Sequence, residues 1–537
     1  MRDFSFRTRK ANLARMGSEP WDLVVVGGGI VGAGIAREAA LRGIKVALVE
    51  RGDFASGTSG KTSRLVHGGL RYLRNLKFGL VRQAVRERDV LLRRAPALVT
   101  PLAFTIPAYR RRGTGRLSLR FGLFVYDFLS KDKVLPRRQW LAPARVRERE
   151  PRISERSLRG GGLYFDALTN DARLVLAVLK AAAEAGAVVA NYAEAIESVH
   201  AAGRVAGVRV RDRTDGSLFG VQASVVVNAT GAWIDWLRTA RKGPPTIRPT
   251  KGIHVFLPRE KVGNREAVVL NAPRDGRVVF VLPWGPLALV GTTDTDYRGE
   301  LEHVLPDADD VAYLLDSVNA AFPAAQVSAG DVVSAYAGLR PLLRGRGEMK
   351  ESDISREYEI FQDPDGLISI AGGKLTTQRA MAEAVVDRAC RRLGRAVPSP
   401  SAAAPLGPPS DAPRRFESMG FDPGTAARLG SRYDPDSFRR WLEEPGARDP
   451  IVPALPYLWA EACEAVEAEM AVSLSDVLVR RLGVFYEDPD QGRSVARIVA
   501  QRIAEHLGWT ATQVEAEVNA YEELVADHRK FKEGHGR

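Results

Sequence analysis

The sequence predicts an α/β fold, and three observations predict it. A glycine-rich turn joins two short apolar strands within DLVVVGGGIVGAGIAREAALRGIKVALVE, residues 22–50. Two more apolar strands ending in small-residue turns return late, VQASVVVNATG at 221–231 and GLISIAGGKLTTQ at 366–378. Towards the C-terminus residues recur at helical spacing, with Val477, Leu478 and Arg481 on one face after the capping pair Ser473-x-x-Asp476.

Composition sets the bounds. A chain of 537 residues has room for two to four domains, and its 45% hydrophobic and 27% charged content is that of an ordinary globular protein. Its two cysteines, Cys390 and Cys463, exclude a disulfide scaffold and suit a reducing compartment. Seven scattered histidines show no metal spacing, so no metal is expected. The net charge of +13 suits an anionic partner, whether phosphorylated ligand, lipid or nucleic acid. No zinc-finger, helix-turn-helix or RNP signature accompanies it, which argues against nucleic acid. No apolar run is long enough to span a bilayer. The basic opening MRDFSFRTRKANLARMGSEP lacks the apolar core of a secretory signal and is expected to be a flexible arm.

The elements follow in order. Leu23 to Val26 is a buried parallel strand, Ile35 to Leu41 a helix, and Lys45 to Val49 the second strand. Between them Gly27 permits the tight turn, Gly29 lets a pyrophosphate approach the backbone, and Gly32 packs helix on strand. The helix N-terminus offers N–H groups to phosphate. Glu50, at the end of the second strand, is placed to accept hydrogen bonds from ribose hydroxyls, which favours FAD or NAD over NADP. The later returns, with Thr230 and Gly231 in one and Gly372, Gly373, Lys374, Leu375 and Thr376 in the other, resemble those of flavoproteins of the glutathione-reductase and amino-acid-oxidase type. That likeness implies an FAD-binding Rossmann-like domain and places the segment RGDFASGTSGKTSRLVHGG, with Thr58, Ser59, Ser63, His67, Gly68 and Gly69, beside the flavin.

Those residues carry a closer likeness. HGGLRYL (67–73), NDARLVL (170–176), VVNATGAW (226–233), KGIHVFLP (251–258), PWGPLALVGTTDTDY (283–297), YAGLRPLL (336–343), SREYEI (355–360) and GGKLTT (372–377) together resemble the FAD-dependent, respiratory glycerol-3-phosphate dehydrogenases. PYLWAEACEAVEAEMAVSLSDVLVRR (456–481) is similar to that family's helical C-terminal domain. Three positions depart from the family pattern: Arg64 where lysine is common, Ile253 where a small hydroxyl residue is common, and Gln378 where an aromatic is common.

The resemblance implies non-covalent FAD, sn-glycerol-3-phosphate as substrate, and hydride transfer from its C2 to flavin N5. Electrons would pass to a membrane quinone, with the enzyme peripheral at the cytoplasmic face of the inner membrane and a homodimer allowed. Hand-over to O₂ with peroxide as product is the alternative. A phosphate dianion calls for guanidinium forks, and Arg71, Arg340 and Arg356 are the candidates, with Tyr72 as a phenolic donor. Lys374 would steady charge on reduced flavin or contact substrate. The hydroxyl proton calls for a base, and His67 and His254 are both open to that role.

The expected nucleotide domain is discontinuous, at 20–95, 160–240 and 335–395; a cap with an antiparallel sheet covers 96–159 and 241–334. A Pro/Ala/Ser-rich linker at 396–415 precedes helices at 416–530. In YRRRGTGRLSLRFGLFVYDFLSKDK (109–133), Phe121, Phe124, Val125 and Phe128 share a helical face. A core-packed face is the expectation there, with a lipid-facing one as the alternative.

Overall fold

The computed structural model describes residues 4–110, 115–130, 134–239, 244–344 and 357–535. Two sheets and a C-terminal set of helices make up the molecule. In the first sheet the strand order is Tyr358–Gln362, Ile368–Gly372, Leu218–Asn228, Trp21–Val26, Val46–Val49, Val188–Ala190. Trp21–Val26 pairs in parallel with Leu218–Asn228 on one side and Val46–Val49 on the other. Leu23, Val24 and Val25 are wholly buried, as a strand covered on both faces requires. Helices Ile30–Leu41, Asp171–Glu184 and Gln378–Arg392 pack together over one face. A three-stranded antiparallel meander, Ala193–Ala201, Arg204–Asp212 and Leu218–Asn228, shares an apolar core with the other.

The N-terminal segment differs from the expected flexible arm. It is a helix, Phe6–Ser18, capped by Ser5 and docked on this domain. Leu13 and Met16 are buried, Arg9 pairs with Asp212 at 2.5 Å, and Asn12 donates to the carbonyl of Val189 at 2.9 Å. Its own pattern is mostly polar; distant partners decide its place.

The second sheet is the cap. Ile247–Pro258, Leu287–Gly291, Val278–Trp284 and Ala267–Asn271 run antiparallel, and Val99–Tyr109, Leu158–Thr169 and Leu65–Val66 continue the sheet. Ser334–Leu343 pairs along almost the whole of Ile247–Pro258. Residues 335–343, Leu65–Val66 and residues 160–169, all expected in the nucleotide domain, thus belong to the cap sheet, and the return to the nucleotide sheet is made by Tyr358–Gln362 and Ile368–Gly372. An apolar run signals a strand without saying which sheet accepts it.

The proline-rich segment near 400 lies against the nucleotide domain. Leu406 is buried in its core, and Arg37 donates to the carbonyls of Ala404 and Pro405. The helices that follow include Trp459–Glu467, Arg493–Leu507 and Ala511–Arg529. The expected capping pair is present: Ser473 Oγ accepts from the N–H of Asp476, whose carboxylate accepts from the N–H of Ser473. The turn after it, Asp476–Leu482, is a π-helix.

One buried charge cluster joins the C-terminal helices to the nucleotide domain. Asp53, three residues beyond Glu50, receives Arg481 at 2.6 and 2.9 Å, Arg480 at 2.5 Å and Asn191 at 3.1 Å. Arg480 also meets Asp476 at 2.5 Å.

Candidate functional site

A cleft of about 530 Å³ opens at the C-terminal ends of the central strands, where an α/β sheet places its ligand. Of the residues the sequence assigns to a cofactor, Gly27, Gly29, Glu50, Thr58, Ser59, Thr230, Gly231, Gly372, Gly373, Lys374 and Leu375 line it. Gly32 lies beneath the wall. A Cβ there would stand 1.8 Å from the Gly27 carbonyl oxygen, so its small size is what lets helix meet strand. Ser59 Oγ accepts from the N–H of Ile30 at 2.9 Å, capping the helix that faces the cleft. Thr58 donates to the Leu339 carbonyl at 2.6 Å and ties this segment to the cap. Glu50 accepts from Gly28 N–H at 2.6 Å and Gly52 N–H at 2.8 Å, so it shapes the turn as well as facing the cleft. Burial raises its pKa against these two donors.

Ser63, His67, Gly68, Gly69 and Thr376 form a layer next to that wall. Thr376 Oγ1 accepts from the N–H of His67 at 3.1 Å, joining the histidine loop to the late glycine loop. His67 is half-buried and meets the Phe280 ring edge-on. The Lys374 ammonium sits 3.8 Å from the centre of the Tyr72 ring. A Cβ on Gly69 would meet both the Tyr72 ring and Lys374 Nζ, so these three sequence-assigned residues come together.

The cap sheet supplies the next layer. His254 is buried, stacks on Tyr336 at 4.9 Å, and its Nε2 shares a 2.8 Å hydrogen bond with Ser63 Oγ. Burial, then the charges of Arg340 and Arg64, push its pKa well below the usual imidazole value, so the ring is neutral at physiological pH. Arg340 projects over Gly252, where a Cβ would strike its guanidinium. It donates to Thr292 Oγ1 at 2.7 Å, to the Thr293 carbonyl at 2.9 Å and to Asp294 at 3.0 Å. Arg356 lies outside the described residues, as does the side chain of Arg71.

Some wall residues were not read from the sequence. Arg51, Trp233, Trp236 and His303 line the cleft, and so does Lys61. Burial, and after it the nearby Arg480, lower the Lys61 pKa to about 8. Lys61 and Trp233 stand inside the motifs GTSGKTSR and GAW; a lysine between small residues beside a phosphate turn was the available signal. Beneath His67, Gly68 N–H donates to Tyr126 Oη at 2.9 Å, and Tyr126 donates to Asp166, itself paired with the buried Arg88 at 2.7 Å.

That contact fixes helix Arg116–Leu129. Leu119, Leu123 and Tyr126 turn inward, and Leu117, Phe121, Phe124 and Phe128 are 80, 68, 52 and 70% exposed. The expected core-packed face is the outward one. Among the described residues no helix is long and apolar enough to cross a membrane.

The cleft fits a dinucleotide by the structure's own measures. Its phosphate end is backbone and small residues below a capped helix start, and side chains are excluded there, since a Cβ on Gly27 would come within 2.6 Å of the Ala229 carbonyl oxygen. A family model described as FAD dependent oxidoreductase matches residues 22–388, and one described as the C-terminal domain of alpha-glycerophosphate oxidase matches 409–514. The chain is 40% identical to a glycerol-3-phosphate dehydrogenase of Mycobacterium leprae, over 96% of this chain and 90% of the relative. It is 35% identical to an aerobic glycerol-3-phosphate dehydrogenase of Staphylococcus epidermidis, over 95% of both. The solved structure of the Bacillus halodurans glycerol-3-phosphate dehydrogenase complexed with FAD superposes with a TM-score of 0.81, at 31% identity over 97% of this chain and 98% of that one. An L-alpha-glycerophosphate oxidase from Mycoplasma pneumoniae, 19% identical with a TM-score of 0.54, shares the fold.

Proposed function

Because the chain belongs to the FAD-dependent glycerol-3-phosphate dehydrogenase family, we propose that it oxidises sn-glycerol-3-phosphate to dihydroxyacetone phosphate and passes the electrons to quinone at the cytoplasmic face of the inner membrane. The observation that carries the substrate reading is Arg340, a guanidinium 17% exposed, oriented by Thr292, Thr293 and Asp294 among its partners and set beside the buried His254. FAD, when bound, supplies the hydride acceptor. Gly27, Gly29, Glu50, Thr230, Gly231 and the loop Gly372–Leu375 are the residues that would hold it.

The chain's own groups divide the remaining work. Arg340 presents a pre-oriented cation to the phosphate dianion, with Arg71, Tyr72 and Arg356 as the further substrate groups that the family resemblance assigns. Burial and the charges of Arg340 and Arg64 disfavour the imidazolium form of His254, which weakens it as a proton acceptor, so His67 stands beside it as the other candidate; Ser63 on His254 Nε2 is the hydroxyl through which a proton would reach that ring. Lys374 adds positive charge where the late glycine loop meets the cleft.

The test is anaerobic bleaching of the flavin absorbance by sn-glycerol-3-phosphate, with glycerol and D-alanine as controls. Bleaching by the phosphate ester alone is expected; a flavin that stays oxidised would refute the substrate. Arg340→Ala should raise KM for glycerol-3-phosphate about 10- to 100-fold, the worth of one or two charge-assisted hydrogen bonds, and leave the weak reaction of glycerol nearly unchanged. Equal effects on both would remove its phosphate role.

The membrane reading is supported by the outward face of helix Arg116–Leu129. Four large apolar side chains there stand with Arg116, Arg120 and Arg138, which lie over Trp140 and Phe124. The protein is expected to float with vesicles containing anionic lipid, and Phe121→Asp combined with Phe128→Asp to abolish flotation. Failure to bind either anionic or neutral vesicles would overturn this reading. Stoichiometric peroxide during turnover would replace quinone by O₂ as acceptor.

A further inference from the structure

We propose that the C-terminal helical domain carries a site for a thiophilic divalent cation of the zinc type, formed by Glu444, Cys463 and His506. The three residues come from separate elements. Glu444 follows the short helix Arg440–Glu443, Cys463 lies within helix Trp459–Glu467, and His506 is in the last turn of helix Arg493–Leu507. One donor atom from each lies within 4.8 Å of the others. The spacing along the chain, 19 residues and then 43, matches no metal motif, which is why the sequence shows none.

The donors stand within reach of a tetrahedral ion, the set somewhat wider than the ion needs and one pair already at its spacing. Zinc bonds of about 2.0–2.3 Å place neighbouring donors roughly 3.5 Å apart. Cys463 Sγ stands 3.4 Å from Glu444 Oε2. The histidine is already oriented as bound histidines are. His506 Nδ1 faces Glu467 Oε1 at 3.1 Å, and Arg7 of the N-terminal helix holds the same oxygen at 2.9 Å. A carboxylate on Nδ1 fixes the tautomer that leaves Nε2 for a metal. Cys463 is buried, while Glu444 and His506 are half-buried, with side chains 33% and 17% exposed, and leave a way in.

The donor set selects the ion. Thiolate and imidazole disfavour Ca²⁺ and Mg²⁺ and suit Zn²⁺, with water as the fourth ligand. Binding would exchange the thiol proton, released to solvent, for a metal–sulfur bond. Arg502 now donates to Glu444 Oε2 at 3.3 Å and lies over the Trp459 ring. It would keep the Pro445 carbonyl and Trp459 contacts while the carboxylate turns to the metal. The ion would staple three elements of this domain and leave the FAD cleft untouched.

The test uses the full-length, FAD-loaded protein stripped with a chelator. Titration with Co²⁺ should give one equivalent of tetrahedral ligand-field absorption at wavelengths beyond those of the flavin. Zn²⁺ should displace it. Cys463→Ser and His506→Ala should abolish the signal, and Cys390→Ser should leave it unchanged. Glu444→Gln, at a half-exposed position that the fold tolerates, should weaken Zn²⁺ binding about tenfold or more. In the unmodified protein Zn²⁺ should raise the thermal midpoint and chelator should reverse the rise. Absence of the tetrahedral bands, or bands that persist in Cys463→Ser, would overturn the site.

Discussion

Gly32→Ala is expected to yield a protein that no longer retains FAD. The added Cβ would sit 1.8 Å from the carbonyl oxygen of Gly27 and 3.0 Å from its carbonyl carbon. Neither atom can yield easily, because the strand leading into Gly27 is paired on both sides. Relief requires the helix start to move away by well over an ångström, since ordinary van der Waals contact begins at 3.4 Å. That displacement carries off the N–H groups and the Ser59 cap that form the phosphate end of the cleft. Overpacking of this kind costs about 1–3 kcal/mol before any cofactor loss is added. The ratio of protein to flavin absorbance after purification measures the outcome. Gly43→Ala is the control: a Cβ there meets nothing within 4 Å, its positive φ costs only local backbone strain away from the cleft, and flavin content should stay near wild type. Normal flavin in Gly32→Ala would refute the packing account.

Asp53→Ala should destabilise the whole chain by about 3–5 kcal/mol, the usual result of leaving buried charge unpaired. Two guanidiniums, Arg480 and Arg481, would lose their shared carboxylate in a dry site. Burial alone would raise the Asp53 pKa; Arg481 and then Arg480 outweigh it and hold the carboxyl well below the usual carboxylate range. A lowered folded-state pKa gives stability that is complete above the unfolded value, near 4, and is lost only as pH falls below it. The gap between wild type and variant should therefore be constant from pH 6 to 8 and shrink in acid. Urea midpoints across that range would measure it, and a loss under about 1 kcal/mol would mean the pairing has little net worth. Asp53 lies three residues from Glu50, so the variant should also hold FAD more weakly.

What could be read from the sequence follows the range of the interactions involved. The strand, glycine turn and helix at 21–41 depend on neighbours in the chain, and their signal was plain. Ser473 and Asp476 are likewise a local pair. The face of helix Arg116–Leu129 was not decidable, because both of its faces are apolar. Tyr126 chooses the inner one by reaching Asp166, 40 residues on, and Gly68, 58 residues back. The N-terminal helix owes its place to Asp212, 203 residues from Arg9. In the cleft, motif glycines announced themselves, while Lys61 is an ordinary lysine until folding encloses it. Asp53 and Arg481 are 428 residues apart, and no pattern along the chain links them.

The strand order also has a consequence for biosynthesis. Trp21–Val26 emerges first, yet its neighbour Leu218–Asn228 leaves the ribosome some two hundred residues later, and Ile368–Gly372 later still. The arginines that grip Asp53 come only near residue 480. At about 5–20 residues per second, roughly 25–95 s pass between the first strand and its last tether. Val46–Val49 can cover one edge of the first strand early, but its other edge stays unpaired for roughly 10–40 s, until Leu218–Asn228 emerges, and a chaperone can act on it there. The cleft takes its walls from residues as far apart as Val26 and Leu375, so its last wall forms only once the loop Gly372–Leu375 has emerged.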